Sequence, residues 1–164
     1  MPVVQEMVMP GVALKHLDGF RVASVPHHGP YGEIGVAFQR LLLMLRERRL
    51  RPDGPMMALY FEEPTHETPQ ARSEAAVPVL GAFRGDGELR VRDLPPCSVA
   101  SLIYDGPPSR VSASYTLLDE WVKANGYERS GPVREIYARD LTEVPPGILY
   151  AEIQIPVRRK GRRN

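Results

Sequence analysis

The chain carries nearly the same text twice. "VASVPHHGPY" begins at Val22 and "VASLIYDGPP" at Val99, 77 residues later. At that shift Gly29-Pro30 falls on Gly106-Pro107, Gly54-Pro55 on Gly131-Pro132, and Tyr60 on Tyr137. A shift of 78 carries Glu74 onto Glu152 and Pro78-Val79 onto Pro156-Val157, which places a one-residue indel in the last loop. Upstream, Val12, Leu14 and Leu17 fall on Leu89, Val91 and Leu94. A repeat of this period constrains the fold first, because what one copy forms the other is expected to form.

Each copy reads as β-α-β-β. An extended segment, Gly19–Val25 or Cys97–Tyr104, ends at a Gly-Pro, where proline removes a ladder donor and glycine permits a turn. A helix follows, with apolar residues at i, i+4, i+7 and i+11: Ile34, Phe38, Leu41 and Leu45, or Val111, Tyr115, Leu118 and Val122. Ser109 is the expected N-cap of the second helix and Gly126 its terminator. Then come a short strand ("MMALYF" or "VREIYA"), a loop with proline and acidic residues, and a last strand ("SEAAVPVL" or "YAEIQIPV"). Between the copies, Gly-Asp-Gly at Gly85–Gly87 suggests a tight turn. One such half cannot cover its own sheet. The expectation is therefore one α+β domain over 1–164, a tandem duplication with pseudo-twofold symmetry. It has antiparallel sheets and two main helices around a central cleft. Module one covers about 11–80, module two about 88–157, and a basic tail 158–164.

Bulk chemistry excludes several classes. A net charge of +1 gives no global pull toward nucleic acid. The tail from Arg158 to Arg163 is the local exception, and a solvated, disordered tail is expected there. A single Cys97 rules out an internal disulfide and suits a reducing cytoplasm. The N-terminus lacks a signal-peptide pattern, and apolar runs such as Leu41–Leu45 are too short to span a bilayer. His16, His27, His28 and His66 show no metal-ligand spacing, and no phosphate-binding glycine loop or nucleophile elbow occurs, so no cofactor or metal is expected.

The informative difference between the copies lies in their second strands. Met56, Ala58 and Tyr60 share one face, and Val133, Glu135 and Tyr137 share its counterpart. Alanine in one copy thus matches a glutamate flanked by apolar and aromatic groups in the other, where burial raises a carboxyl pKa. Such an acid, with Ala58 leaving room, suits a flat or cationic guest. Tyr104, Tyr137, Tyr150, Tyr60 and Trp121 supply candidate aromatic walls, with Met57 beside Ala58. Tyr115, at the position of Phe38, is assigned to the core. Glu152 has a counterpart in Glu74 and is assigned to shared architecture.

The phrases "FRVASVPHHGPYGEIGVAFQRLLLML", "LYFEEPTHETPQARSEAAVPV" and "WVKANGYERSGPVREIYARDLTEVPPGILYAEIQIPV" resemble the GyrI-like effector-binding domains over about residues 12–157. That resemblance implies a doubled β-α-β-β fold with a ligand in the central cleft. It also implies that Glu135 is the pocket glutamate, that Tyr150 is a pocket tyrosine, and that Trp121 matches the family's helix tryptophan. Members serve as effector domains of AraC- and MerR-type activators, as a DNA gyrase inhibitor, and as hydrolases opening cyclopropane-bearing alkylators. The chain departs from the activators, since no helix-turn-helix precedes the domain, and direct nucleic-acid binding is not expected. Pro108 stands where copy one has Tyr31. The leading expectation is a stand-alone cytoplasmic binder of lipophilic aromatic or cationic molecules. Alternatives are a hydrolase with Glu135 as acid/base and a protein-binding module like the gyrase inhibitor. A protein partner or a homodimer stays open.

Overall fold

Strand alternation decides which side of this chain is covered. The computed structural model describes residues 11–62, 70–137 and 145–161. They form β1 (Ala13–Leu17), β2 (Phe20–His28), α1 (Gly35–Glu47), β3 (Met56–Tyr60), β4 (Arg72–Pro78), β5 (Arg90–Leu94), β6 (Cys97–Gly106), α2 (Ser112–Ala124), β7 (Tyr127–Arg129), β8 (Val133–Tyr137) and β9 (Leu149–Arg159). All strands join one curled, nine-stranded antiparallel sheet, so the architecture is α+β. One sheet replaces the several that the sequence suggested, because β3 and β8 pair directly and make the ladder continuous.

Both helices cover the same face. Ala37, Leu41 and Leu45 of α1 and Tyr115, Leu118, Trp121 and Val122 of α2 enter one cluster with Ala23, Val25, Ala75, Val77, Ile153 and Ile155. Leu41 and Leu118 are fully buried, each stabilising the fold by about 1.5–3 kcal/mol through lost water contact. α1 packs on β2 and β4, and α2 on β6 and β7. The central strands β3 and β8 therefore lie beneath the interval between the helices. On the other face Val22, Met57, Leu59, Ala76 and Leu94 form a second, smaller cluster, and no helix among the described residues covers it.

The strand order is β1-β6-β9-β8-β3-β4-β2-β5, with β7 on β9. β1 and β2 are consecutive but do not pair. β1 lies on β6, and β5 lies on β2. Leu17 faces Cys97, and three residues on from Leu17 and three back from Cys97, Phe20 faces Leu94. The two pairings are thus one antiparallel ladder, interrupted where the short links cross. Gly19 occupies this crossing: a Cβ there would sit 2.9 Å from Pro96 Cδ and 3.0 Å from the Leu94 carbonyl oxygen.

Some local expectations shift. Ser109 does not cap α2; it lies in a 3-10 turn (Pro108–Arg110) that runs directly into the helix, whose N-cap position is Val111 with no side-chain bond. Gly126 does end α2, with φ of +76° and its N–H donating to Lys123 O. The basic tail begins later than expected: Arg158 and Arg159 belong to β9, where Arg158 pairs with Glu128 and Arg159 covers the Tyr127 ring. β7, across from them, holds this segment in the ladder. The proline-containing acidic loops at 63–69 and 138–144, the N-terminal ten residues and 162–164 lie outside the described residues. Among the described residues no helix is long and apolar enough to cross a membrane.

Candidate functional site

The middle of the sheet is the β3–β8 pair, running from Met56 opposite Tyr137 to Tyr60 opposite Val133. Ala58 faces Glu135 at its midpoint, and Ile153 of β9 flanks Glu135 on the other side. Alternation turns Ala58, Tyr60, Glu135 and Tyr137 toward the helix layer. Glu135 is 7% exposed.

Three tyrosines act on this carboxyl. The Tyr115 hydroxyl reaches down from α2 and donates to Oε2. Tyr137, two residues along β8, donates to Oε1 at 3.1 Å, and Tyr60 adds a third hydrogen bond from β3. Among the described residues no cation takes part. Burial pushes the Glu135 pKa up; the bonds from Tyr115, Tyr137 and Tyr60 oppose that rise without cancelling it. Burial also pushes the Tyr137 hydroxyl well above its ordinary value, helped by Tyr60 and Glu135. Two further rings extend the aromatic wall. Tyr31 packs against Tyr60 with centroids 4.4 Å apart, and Phe38 meets Tyr137 edge-on at 5.8 Å. The result is an acid held by neutral donors inside a shell of rings, with Phe38, Met56 and Tyr137 at its partly exposed margin. Chemically, it can stabilise a cation against the carboxylate or donate a proton from the carboxylic acid.

Four of the candidates meet here: Glu135, Tyr137, Tyr60 and Ala58. The others go elsewhere. Met57 points to the opposite face, in the second cluster with Leu59 and Val22. Tyr150 shares β9 parity with Glu152 rather than with Ile153, so it too lies on the face away from Glu135. Trp121 stacks on Tyr127 at 5.6 Å, and the Tyr104 hydroxyl donates to Pro107 O in the turn before α2. Glu152 is on the far face, where burial works to raise its pKa but bonds from Gln154, Ser101 and Lys15 hold it below the ordinary value. Its counterpart Glu74 is bound by Arg90 and Arg92.

Sequence reasoning missed Tyr115, which it placed in the core, and did not include Tyr31 or Phe38. A signal for Tyr115 existed. At a shift of 77 the sequence sets Phe38 against Tyr115 and Ala58 against Glu135, so the hydroxyl accompanies the acid. Among the described residues no group of three or more His, Cys, Asp or Glu is placed to hold a metal.

The GyrI-like small molecule binding domain model matches residues 11–158. Comparison with curated protein sequences gives no match. Among solved structures, the EcmrR C-terminal domain shares the fold at a TM-score of 0.75 and 20% identity, over 90% of this chain and 97% of that one. In the EcmrR–DNA complex the same fold accounts for 57% of the EcmrR chain. A hydrolase from Listeria innocua matches at 0.64 and 14% identity, over 90% and 91% of the two chains. SAV2435 bound to tetraphenylphosphonium matches at 0.59 and 16%, over 90% and 93%. At these identities the likeness concerns the fold.

Proposed function

The chain belongs to the GyrI-like small molecule binding domain family, and we propose that it binds lipophilic aromatic cations between its two helices, at Glu135. The observation that carries this reading is a buried carboxyl whose hydrogen-bond partners among the described residues are all tyrosines. A buried acid is ordinarily matched by a cation, and none of the described residues supplies one. A guest cation would contribute that charge, and each ring face it meets would add up to about 2 kcal/mol when desolvated. SAV2435, of the same fold, holds such a cation, tetraphenylphosphonium. Ala58, Tyr60 and Tyr137 would form the floor, with Tyr115, Tyr31 and Phe38 as walls. We read the role as sensing, regulation or sequestration in the cytoplasm.

The same reading includes a duplicated architecture. Carrying β1, β2, β3 and β4 onto β5, β6, β8 and β9 turns the strand order into its own reverse. Ala58 and Glu135, 77 residues apart, then sit on the pseudo-twofold axis. Fluorescence titration with rhodamine 6G and calorimetry with tetraphenylphosphonium test the site. Glu135→Gln should weaken both by at least about tenfold, near 1.4 kcal/mol; unchanged binding overturns it.

A hydrolase remains the second reading, favoured by the raised Glu135 pKa, which suits a general acid. Mass spectrometry of a cyclopropane-bearing alkylator incubated with the protein decides it: a ring-opened product lost in Glu135→Gln supports catalysis, and no product excludes it.

A further inference from the structure

Arg134 precedes Glu135 on β8 and therefore points to the other face of the sheet. It is 4% exposed. Its Nη2 donates to Cys97 Sγ at 3.6 Å, and its guanidinium lies 5.9 Å from the centre of the Phe20 ring. Nη1 is shielded from solvent and has no hydrogen-bond partner. No carboxylate among the described residues pairs with this charge. A guanidinium this deeply buried is normally matched by an anion, often bidentately.

Arg134 lines a recess of about 180 Å³. Leu59, Leu94, Pro132 and Pro156 give it apolar walls, and Ser130 adds a hydroxyl. The other charged groups on its rim are already balanced: Arg92 by Glu74, at 2.5–2.6 Å, and Asp93 by Arg21, at 2.9 Å. Glu74 is shared with Arg90, so the surroundings carry no excess of acid, and Arg134 is the rim charge without an acidic partner among the described residues; the matching guest is an anion. A cavity of about 150 Å³ accommodates benzene, which sets the size of the apolar body.

We infer that this recess is a second binding site, selecting small monocarboxylates with a compact apolar body through Arg134. It stands on the opposite face from the Glu135 pocket, takes ligands of the opposite charge, and does not rest on that pocket's assignment. Adjacent residues of one strand thus serve two sites.

Sodium benzoate is the probe, with neutral benzamide as the matched control, both at constant ionic strength. In ¹⁵N-resolved NMR of the whole chain, benzoate should shift the amides of Ser130, Gly131 and Arg134 saturably. Benzamide should bind about tenfold more weakly or worse. Arg134→Met should lose benzoate binding by a similar factor. Because that variant removes a buried group and can fail to fold, Gly131→Leu provides a second arm. Gly131 lines the recess and a Cβ there meets only Pro156, at 3.5 Å, so a leucine should occupy the recess while Arg134 stays. Loss of benzoate binding in folded Gly131→Leu supports the site. Absence of saturable shifts in the wild type, equal binding of benzamide, or undiminished binding in Gly131→Leu overturns it.

Discussion

Ala58 and Glu135 face one another across the antiparallel strand pair at the centre of the sheet, a fully buried methyl opposite a buried acid. The alanine makes the room that the acid occupies. Ala58→Ile should therefore crowd Glu135 and the Tyr60 and Tyr137 rings. The overpacking cost is about 1–3 kcal/mol, read by urea denaturation, together with loss of dye binding. A variant of wild-type stability that still binds dye would show that the space is not shared.

Glu135 should make stability fall as pH rises. Its folded pKa is raised above the unfolded value, so the folded state takes up the proton more readily. The contribution is complete below the ordinary glutamate range and is lost as pH climbs through the folded pKa. Glu135→Gln should remove that slope and gain on the wild type as pH rises from the ordinary glutamate range through the folded pKa, by urea denaturation. Cation affinity should move oppositely, rising with pH as the carboxyl ionises, with a proton released to buffer below the folded pKa. Parallel stability curves for both proteins would contradict the burial argument.

Tyr115→Phe retains the ring and deletes the donor, and Phe38 already occupies the corresponding position in α1. Hydrogen bonds to charged groups contribute about 1.5–3 kcal/mol. The loss should thus approach this range above the folded pKa of Glu135, where the carboxylate needs the bond, and shrink below it. The Glu135 side-chain resonance should titrate at higher pH than in wild type. A pH-independent loss would reassign Tyr115 to packing alone.

Glu74 is 2% exposed and is held by Arg90 and Arg92. Removing one member of a fully buried pair costs about 3–5 kcal/mol. Both arginines here keep solvent access, with side chains 54% and 35% exposed, so they can rehydrate. Glu74→Ala should accordingly cost less, about 1–3 kcal/mol, in chemical denaturation.

Gly19→Ala tests the crossing of the links. Its new Cβ would press on the Leu94 carbonyl and the Pro96 ring, neither of which can swing away. A destabilisation of about 1–3 kcal/mol is expected from forced overpacking, measured by thermal unfolding. A neutral effect would mean that the ladder tolerates spreading there.

Much of this was readable in advance from local pattern. The stripe Ile34, Phe38, Leu41, Leu45 marks α1, and alternation in "VREIY" puts Glu135 on the inner face, because periods of 3.6 and 2 are properties of the sequence itself. The partner of a strand edge is not. Nothing near Leu14 or Val91 tells that β1 would bind β6 and β5 would bind β2, since both choices satisfy the same alternation. Tyr115 illustrates the same limit: its spacing fixes the helix face, while only the approach of α2 to β8 brings the hydroxyl onto Glu135. Tyr150 is expected from the family resemblance and Met57 from its place beside Ala58, and strand parity sends both to the far side.

The crossed outer strands have a consequence for the molecule's handling. A backbone cut between residues 80 and 88 would not liberate two miniature proteins. Each fragment would keep a ribbon that belongs to its sibling's border and would lack its own. The raw flanks of β2 and β6 would be left open to sticking. Co-expressed, the fragments should knit back together; apart, each should precipitate. The covalent tether is therefore less essential to the assembly than the mutual loan of its margins.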